Sequence, residues 1–236
     1  MENNRDMEAV ILAGGMGTRL RSVIKDIPKP MAPVNGKPFL FFVLQWITRY
    51  PVEKIILSLG FKPGTVRNYF GDSFSGIPVE YVVEDQPLGT GGAIKYAARF
   101  TKADDILVIN GDTFFPIDLL KFYDFHIEKS NLFSIALKRM KDFDRYGTVE
   151  CREDMIVRFR EKGFCREGLI NGGIYLINRN YLESKELPEV FSIEKDLMEN
   201  EAGSGILKAQ IFDDIFIDIG IPEDYQRASE LLSDYL

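Results

Sequence analysis

Cysteine, histidine and long apolar runs are all scarce in this 236-residue sequence, which has two cysteines and one histidine. Cys151 and Cys165 have neither metal-ligand spacing nor the number needed for a disulfide framework. They read as reduced thiols of a cytoplasmic protein. The opening Met1-Glu-Asn-Asn-Arg-Asp6 has no apolar signal core, and no stretch is long enough to span a bilayer, so no membrane partner is expected. The lone His126 falls in a predicted helix without an acidic partner at motif spacing. That argues against Ser-His-Asp chemistry, and His126 is expected on its helix's surface. Positive charge is also in deficit: the formal net charge of −7 argues against a nucleic-acid partner. A cleft for an anionic substrate can still be locally positive. Repeats, low-complexity tracts and linker-like runs are missing too, so residues 1–236 read as one α/β domain with a substantial core.

What is present is organised around residues 8–30. An apolar run, Ala9 to Ala13, is short enough to be one buried strand and breaks into Gly14-Gly15-Met16-Gly17. Thr18 and Arg19 then open a predicted helix. A strand, a glycine loop and a helix N-terminus together make an anion site, because glycine lets backbone N–H groups approach a ligand closely. Arg19 adds a planar fork suited to phosphate oxygens. Lys29, between Pro28 and Pro30, supplies a second cation on a stiff segment that cannot be helical. A Walker loop is excluded because Arg19 stands where its second glycine belongs. A dinucleotide fingerprint is excluded because Leu20 replaces the third glycine and no acid lies between Asp26 and Glu53. The glycines alone also fit a plain strand-to-helix turn; Arg19 and Lys29 favour a triphosphate.

Farther on, residues 37–49 read as a helix whose aromatic stripe (Phe39, Phe41, Phe42, Trp46) belongs to the core. Strands are predicted at 54–59 and 79–83, with a helix at 62–70 between them. A second glycine-rich stretch, Glu84-Asp-Gln-Pro-Leu-Gly-Thr-Gly-Gly-Ala93, leads into a helix through Phe100. It fits either a nucleobase site or an ordinary βα loop. The apolar strand 105–109 ends in Asn110-Gly111-Asp112, which puts a carboxylate where open α/β sheets bind ligands. Magnesium suits one or two carboxylates plus substrate phosphates; capping a following turn is the other reading of Asp112. A helix is predicted at 116–127.

From Asn131 onward, alternating segments predict strands at 132–138, 147–150, 156–160 and 169–177. This half offers hydroxyl-binding groups: Tyr146, Glu161, Asn171 and the bare backbone of Gly147, Gly172 and Gly173. Glu161 and Lys162 also fit a solvated surface pair. Ser192 caps a helix through Glu199, and 206–212 is a strand. Asp218 sits between apolar residues just before Gly220, a costly place for an acid unless something pairs with it. A metal shared with Asp112 would do so.

Gly14-Gly-Met-Gly-Thr-Arg-Leu20 with Pro28-Lys-Pro30, Asn110-Gly-Asp112, Glu161-Lys162, Asn171-Gly-Gly-Ile-Tyr175 and Asp218-Ile-Gly220 resemble the motifs of the sugar-1-phosphate nucleotidyltransferases, in order and spacing, over nearly the whole chain. Further stretches, notably Pro87-Leu-Gly-Thr-Gly-Gly-Ala-Ile-Lys95 and Asp142-Phe-Asp-Arg-Tyr-Gly-Thr148, resemble members that join GTP to a heptose 1-phosphate. The resemblance implies a single Rossmann-like domain with a mixed, mainly parallel sheet flanked by helices. Residues from about 8 to 130 would form its nucleotide half, and those from about 131 to 236 its sugar-phosphate half. It implies nucleotide binding by Leu12, Ala13, Gly14, Gly15, Gly17, Thr18, Arg19, Lys29, Glu84, Gly89, Thr90 and Asp112, with Arg19, Lys29 and Asp112 catalytic. Asp112 and Asp218 would ligate Mg2+. Tyr146, Gly147, Glu161, Lys162, Asn171 and Gly172 would bind the sugar phosphate. Transfer to mannose, glucose or N-acetylmuramate 1-phosphate, or a non-catalytic nucleotide-sugar-binding subunit, are the alternatives.

The chemistry agrees with the shortage of histidine. A sugar phosphate has a second pKa of about 6, so the nucleophile is already anionic and needs no general base. Alignment of two polyanions and neutralisation of the leaving pyrophosphate are what must be supplied. Glu84 can accept the adjacent N1–H and N2–H donors of guanine; uracil and thymine offer one N–H between two acceptors. Arg19→Ala or Lys29→Ala is expected to lower kcat far more than it alters folding, which turnover and melting of each variant would measure.

Overall fold

A computed structural model describes residues 6–15 and 27–235 of the chain. The expected phosphate-loop residues Gly17, Thr18 and Arg19 lie outside the described residues. The first half contains β1 (Met7–Leu12), β2 (Pro33–Val34), β3 (Lys37–Pro38), α1 (Phe39–Ile47), β4 (Val52–Leu59), α2 (Pro63–Phe70), β5 (Ser73–Phe74) and β6 (Ile77–Val83). It continues with α3 (Gly89–Ala97), β7 (Asp105–Asn110), β8 (Thr113–Phe114) and α4 (Leu119–Glu128). The second half runs β9 (Phe133–Phe143), β10 (Val149–Arg152), β11 (Met155–Phe159), β12 (Cys165–Asn178) and α5 (Arg179–Ser184). A π-helical turn (Ile193–Met198) runs into α6 (Glu199–Glu201), and β13 (Leu207–Phe212), β14 (Ile217–Asp218) and α7 (Pro222–Leu231) follow.

One sheet crosses both halves in the order β10-β11-β13-β9-β12-β7-β1-β4-β6-β5. Strands β7, β1, β4 and β6 are parallel, and β13 is parallel to β9; β12 runs against β7 and β9, β11 against β10 and β13, and β5 against β6. The expected mixed, mainly parallel α/β architecture is what forms. The apolar run of β1 is buried on both faces because helices cover both. Ala9 and Ile11 pack with Phe39, Phe42 and Trp46 of α1 on one side, while Val10 packs with Ile94 and Ala97 of α3 on the other. The aromatic stripe of α1 is therefore core, with Phe41 half-buried and edge-on to Phe42 and Phe74.

Three local expectations are corrected. Helix α4 begins at Leu119 rather than Pro116, because the Asp118 side chain accepts the Lys121 N–H at 3.1 Å and caps it there. Helix α3 begins at Gly89, inside the glycine stretch rather than after it. His126 is not a surface residue: it is 1% exposed, with Nδ1 2.8 Å from Ser134 Oγ and Nε2 3.1 Å from Asp105 Oδ1. Its acidic partner exists but comes from another strand, 21 residues away, where helical spacing cannot reveal it. Ser134 is fully buried, so this Ser-His-Asp set braces α4 against β9 and β7 and has no access to a substrate.

Burial disfavours charge on Asp105, but hydrogen bonds from His126 and Asn178 outweigh it and hold the carboxyl below its ordinary range. A depressed folded-state pKa adds stability that is present above the unfolded value of about 3.9 and is lost as pH falls through the folded one. Asp105→Asn is expected to lower unfolding free energy at pH 7 by about 1–3 kcal/mol. It should also flatten the acid limb of stability, measured by denaturant unfolding between pH 5 and 3.

Candidate active site

Strand β1 lies between β7 and β4, the point where strand order reverses and where open parallel sheets form a crevice at their C-terminal ends. Three strand ends meet there. After β1, Ala13 N–H donates to Ser58 O at 2.9 Å, and Gly14 lies against Gly60 so closely that an added Cβ would stand 2.9 Å from Gly60 N. Among the described residues nothing comes within 4 Å of such a Cβ on Gly15, which is exposed. After β7, Gly111 N–H donates to Leu12 O at 3.0 Å, and a Cβ on Gly111 would be 2.8 Å from that oxygen. This contact fixes the turn that presents Asp112.

Strand β14 pairs with β8 so that Asp218 stands opposite Thr113, and Ile219 N–H donates to Asp112 O at 3.1 Å. The two carboxylates are thereby brought to one place. Lys29, in a short 3-10 turn begun by Pro28, reaches between them: Nζ is 2.6 Å from Asp112 Oδ2 and 3.2 Å from Asp218 Oδ1. The lysine side chain is only 9% exposed, so its charge is held against these partners rather than solvated. Its removal therefore also carries a folding cost.

A cavity of about 510 Å³ opens beside this cluster. Leu12, Gly14, Gly15, Lys29, Glu84, Gly89, Thr90 and Asp112 line it, all expected from the sequence; Ala13 is buried behind. Asp85, Gln86 and Pro87, from the stretch read as a candidate base site, line it as well, as do Ser58, Phe61 and Asn110, which were not named as site candidates. The crevice rule applied to β4 as it was to β7 would have marked Ser58 to Phe61. Both Glu84 oxygens are engaged: Oε1 accepts the Ser58 hydroxyl at 3.3 Å and Oε2 the Leu88 N–H at 3.0 Å. Each keeps a lone pair for a ligand.

The second-half residues do not line this cavity. Tyr146 is half-buried, its ring edge-on to Phe216 at 5.9 Å, and burial followed by the Asp218 charge holds its phenol well above the usual range. Gly147 is pressed on Arg160, where a Cβ would be 2.5 Å from the carbonyl oxygen, which brings it beside Glu161. Glu161 and Lys162 are exposed on the loop between β11 and β12. Asn171 is engaged at both ends: Nδ2 donates to Tyr175 Oη and Oδ1 accepts the Gly173 N–H, each at 2.9 Å. Gly172 and Gly173 form a bulge of β12 against Phe115 and Asn110, so these glycines serve close packing. Burial and the Asp154 charge push the Cys151 thiol up to about 11, so it is held as the thiol near neutral pH. No disulfide forms between the cysteines.

The family model described as nucleotidyl transferase matches residues 8–234. The chain belongs to that family. Among curated relatives, this nucleotidyl transferase is 46% identical over 230 residues to a D-glycero-α-D-manno-heptose 1-phosphate guanylyltransferase of Aneurinibacillus thermoaerophilus, covering 98% of this chain and 100% of the relative. It is 50% identical to the protein of the same name from Campylobacter jejuni, over 93% of this chain and 97% of the relative. Among solved structures, HddC from Yersinia pseudotuberculosis complexed with GMP-PN superposes with a TM-score of 0.86 at 38% identity, over 96% of this chain and 100% of that one.

The Gly111 contact generates a test of the geometry. Gly111→Ala must displace the turn that presents Asp112, so turnover is expected to fall at least about tenfold. A stability loss of about 1–3 kcal/mol should accompany it. Wild-type turnover in this variant would mean that the turn is not held as described.

Proposed function

We propose that this nucleotidyl transferase moves the guanylyl group of GTP onto D-glycero-α-D-manno-heptose 1-phosphate, giving GDP-heptose and pyrophosphate. The observation that carries the reading is the meeting of Lys29, Asp112 and Asp218 at one edge of a cavity walled by the Glu84–Thr90 loop. The anionic sugar-phosphate oxygen attacks the α-phosphorus of GTP, forming a new P–O bond as the bond to the bridging oxygen breaks. The electron pair leaves with pyrophosphate. Lys29 carries positive charge to the α-phosphate, and the open Gly15 backbone, with Gly17, Thr18 and Arg19, cradles the remaining phosphates.

Two carboxylates already gathered around one cation, with room for phosphates beside them, make a donor set that fits Mg2+. Asp112 and Asp218 would hold the ion, and its chemistry is neutralisation of the charge that builds on the phosphate oxygens. Residues from about 8 to 130 serve the nucleotide and those from about 131 to 236 the sugar, Asp218 crossing back between them. On the sugar side, Lys162 meets the phosphate. Glu161, Tyr146, Asn171 and the backbone of Gly147 and Gly172 surround the hydroxyls. Glu84 accepts the guanine N–H donors with the lone pairs that Ser58 and Leu88 leave free. Among the described residues no helix is long and apolar enough to cross a membrane; we assign the reaction to the cytoplasm, where GTP is made.

Pyrophosphate release with four nucleoside triphosphates and a panel of sugar 1-phosphates, with and without magnesium, tests the reading. GTP with the heptose phosphate and magnesium should exceed every other pair by at least about tenfold in kcat/KM. A higher rate with mannose 1-phosphate or with UTP would overturn the substrate assignment. Glu84→Gln should narrow the preference for GTP over UTP, and an unchanged ratio would remove Glu84 from base selection. Lys29→Met should lower the stability of the metal-free protein by about 1–3 kcal/mol, because two carboxylates are left facing each other without their cation. Magnesium should restore part of that loss in a thermal melt.

A further inference from the structure

The first turn of α3, which walls the cavity, is clasped by a segment from the far half of the chain. Gly91 and Gly92 N–H donate to Phe191 O at 3.0 and 3.3 Å, and Phe191 N–H donates back to Leu88 O at 3.0 Å. No side chain fits between them: a Cβ on Gly89 would stand 2.5 Å from Phe191 O, one on Gly91 2.1 Å from the Phe191 ring, and one on Gly92 2.3 Å from Glu189 O. These amides at the helix start are therefore satisfied by protein, not held open for a ligand.

Thr90, exposed and on the cavity wall, has its hydroxyl inside the same clasp. Its Oγ1 accepts the Ile193 N–H at 3.0 Å and lies 3.1 Å from Glu194 Oε2, which is also 3.0 Å from Ser192 Oγ. A carboxylate only accepts, so the Thr90 proton is committed to Glu194. Of the hydroxyl's two lone pairs, one takes the Ile193 N–H. What remains for the cavity is a single lone pair and no donor.

We propose that Glu194 is a positioning residue for nucleotide selection, fixing the Thr90 hydroxyl as an acceptor-only group on the cavity wall. The nucleoside must then offer Thr90 an N–H or O–H donor. A carbonyl or ring nitrogen turned toward it meets a lone pair and is rejected. The inference rests on the nucleotide half of the proposed reaction and not on the identity of the sugar.

The test measures GTP and UTP dissociation constants by titration without sugar phosphate, and KM for both substrates, in Glu194→Ala, Glu194→Gln, Thr90→Val and the Ala/Val double variant. Losing one such hydrogen bond should weaken GTP binding about fivefold to tenfold in Glu194→Ala while UTP changes less. KM for the sugar phosphate should stay within about twofold. Glu194→Gln, whose amide oxygen can accept both hydroxyls, should remain within about threefold of wild type. The double variant should be no weaker than Thr90→Val alone, because both changes remove one arrangement. Additive effects, an increase confined to the sugar-phosphate KM, or a lowered melting temperature with unchanged GTP binding would each overturn the proposal. If the wild type binds GTP but transfers to no sugar phosphate, the proposed function fails while the Glu194–Thr90 coupling still stands or falls on the binding data.

Discussion

The contact on which the rest of the site depends is the ammonium of Lys29 held between Asp112 and Asp218. Two carboxylates brought together by strand pairing repel each other in a partly buried place unless a cation is shared. Lys29 supplies one in the protein alone, and the proposed Mg2+ would supply the same charge. Everything around the cluster keeps those three groups in register: the prolines on either side of Lys29, the Gly111–Leu12 contact and the β8–β14 pairing. Charges positioned in this way need no reorganisation when a polyphosphate arrives, which is how an enzyme without a general base can still lower a barrier.

Close backbone contact is the second constraint, and it changes the meaning of the glycines. Gly14, Gly89, Gly91, Gly92, Gly111 and Gly172 each stand where a Cβ would strike another part of the chain. In a phosphate-binding reading all such glycines face ligand. Here most of them press one loop against another, and of the described glycines lining the cavity Gly15 alone has no described atom within 4 Å of where a Cβ would stand. The loops surrounding the cavity thus brace one another, the start of α3 leaning on Phe191 and Gly14 on Gly60.

Polar side chains buried away from the cavity follow a different logic. His126, Ser134, Asp105 and Asn178 satisfy each other where α4 crosses the sheet, and Asn171 and Tyr175 do the same under the bulge of β12. Such networks specify how elements pack, because each group would be costly without its partner. The His126 network lies off the reaction path. A catalytic-looking trio with a sealed serine is the clearest instance.

By itself the sequence determined what depends on local order. The apolar run of β1, the glycine break after it, the prolines about Lys29 and the alternation after Asn131 set the elements, the α/β class and the chemistry of the nucleotide side. The starts of α3 and α4 were misjudged, since caps and packing partners decide where a helix begins. Tertiary structure alone decided that Lys29 meets carboxylates 83 and 189 residues away. It also decided that His126 is buried and that the start of α3 is clasped by Phe191 and Glu194. The reason is physical: residue type and spacing fix conformations over a few turns, whereas a contact between distant segments exists only once strand order has placed them side by side.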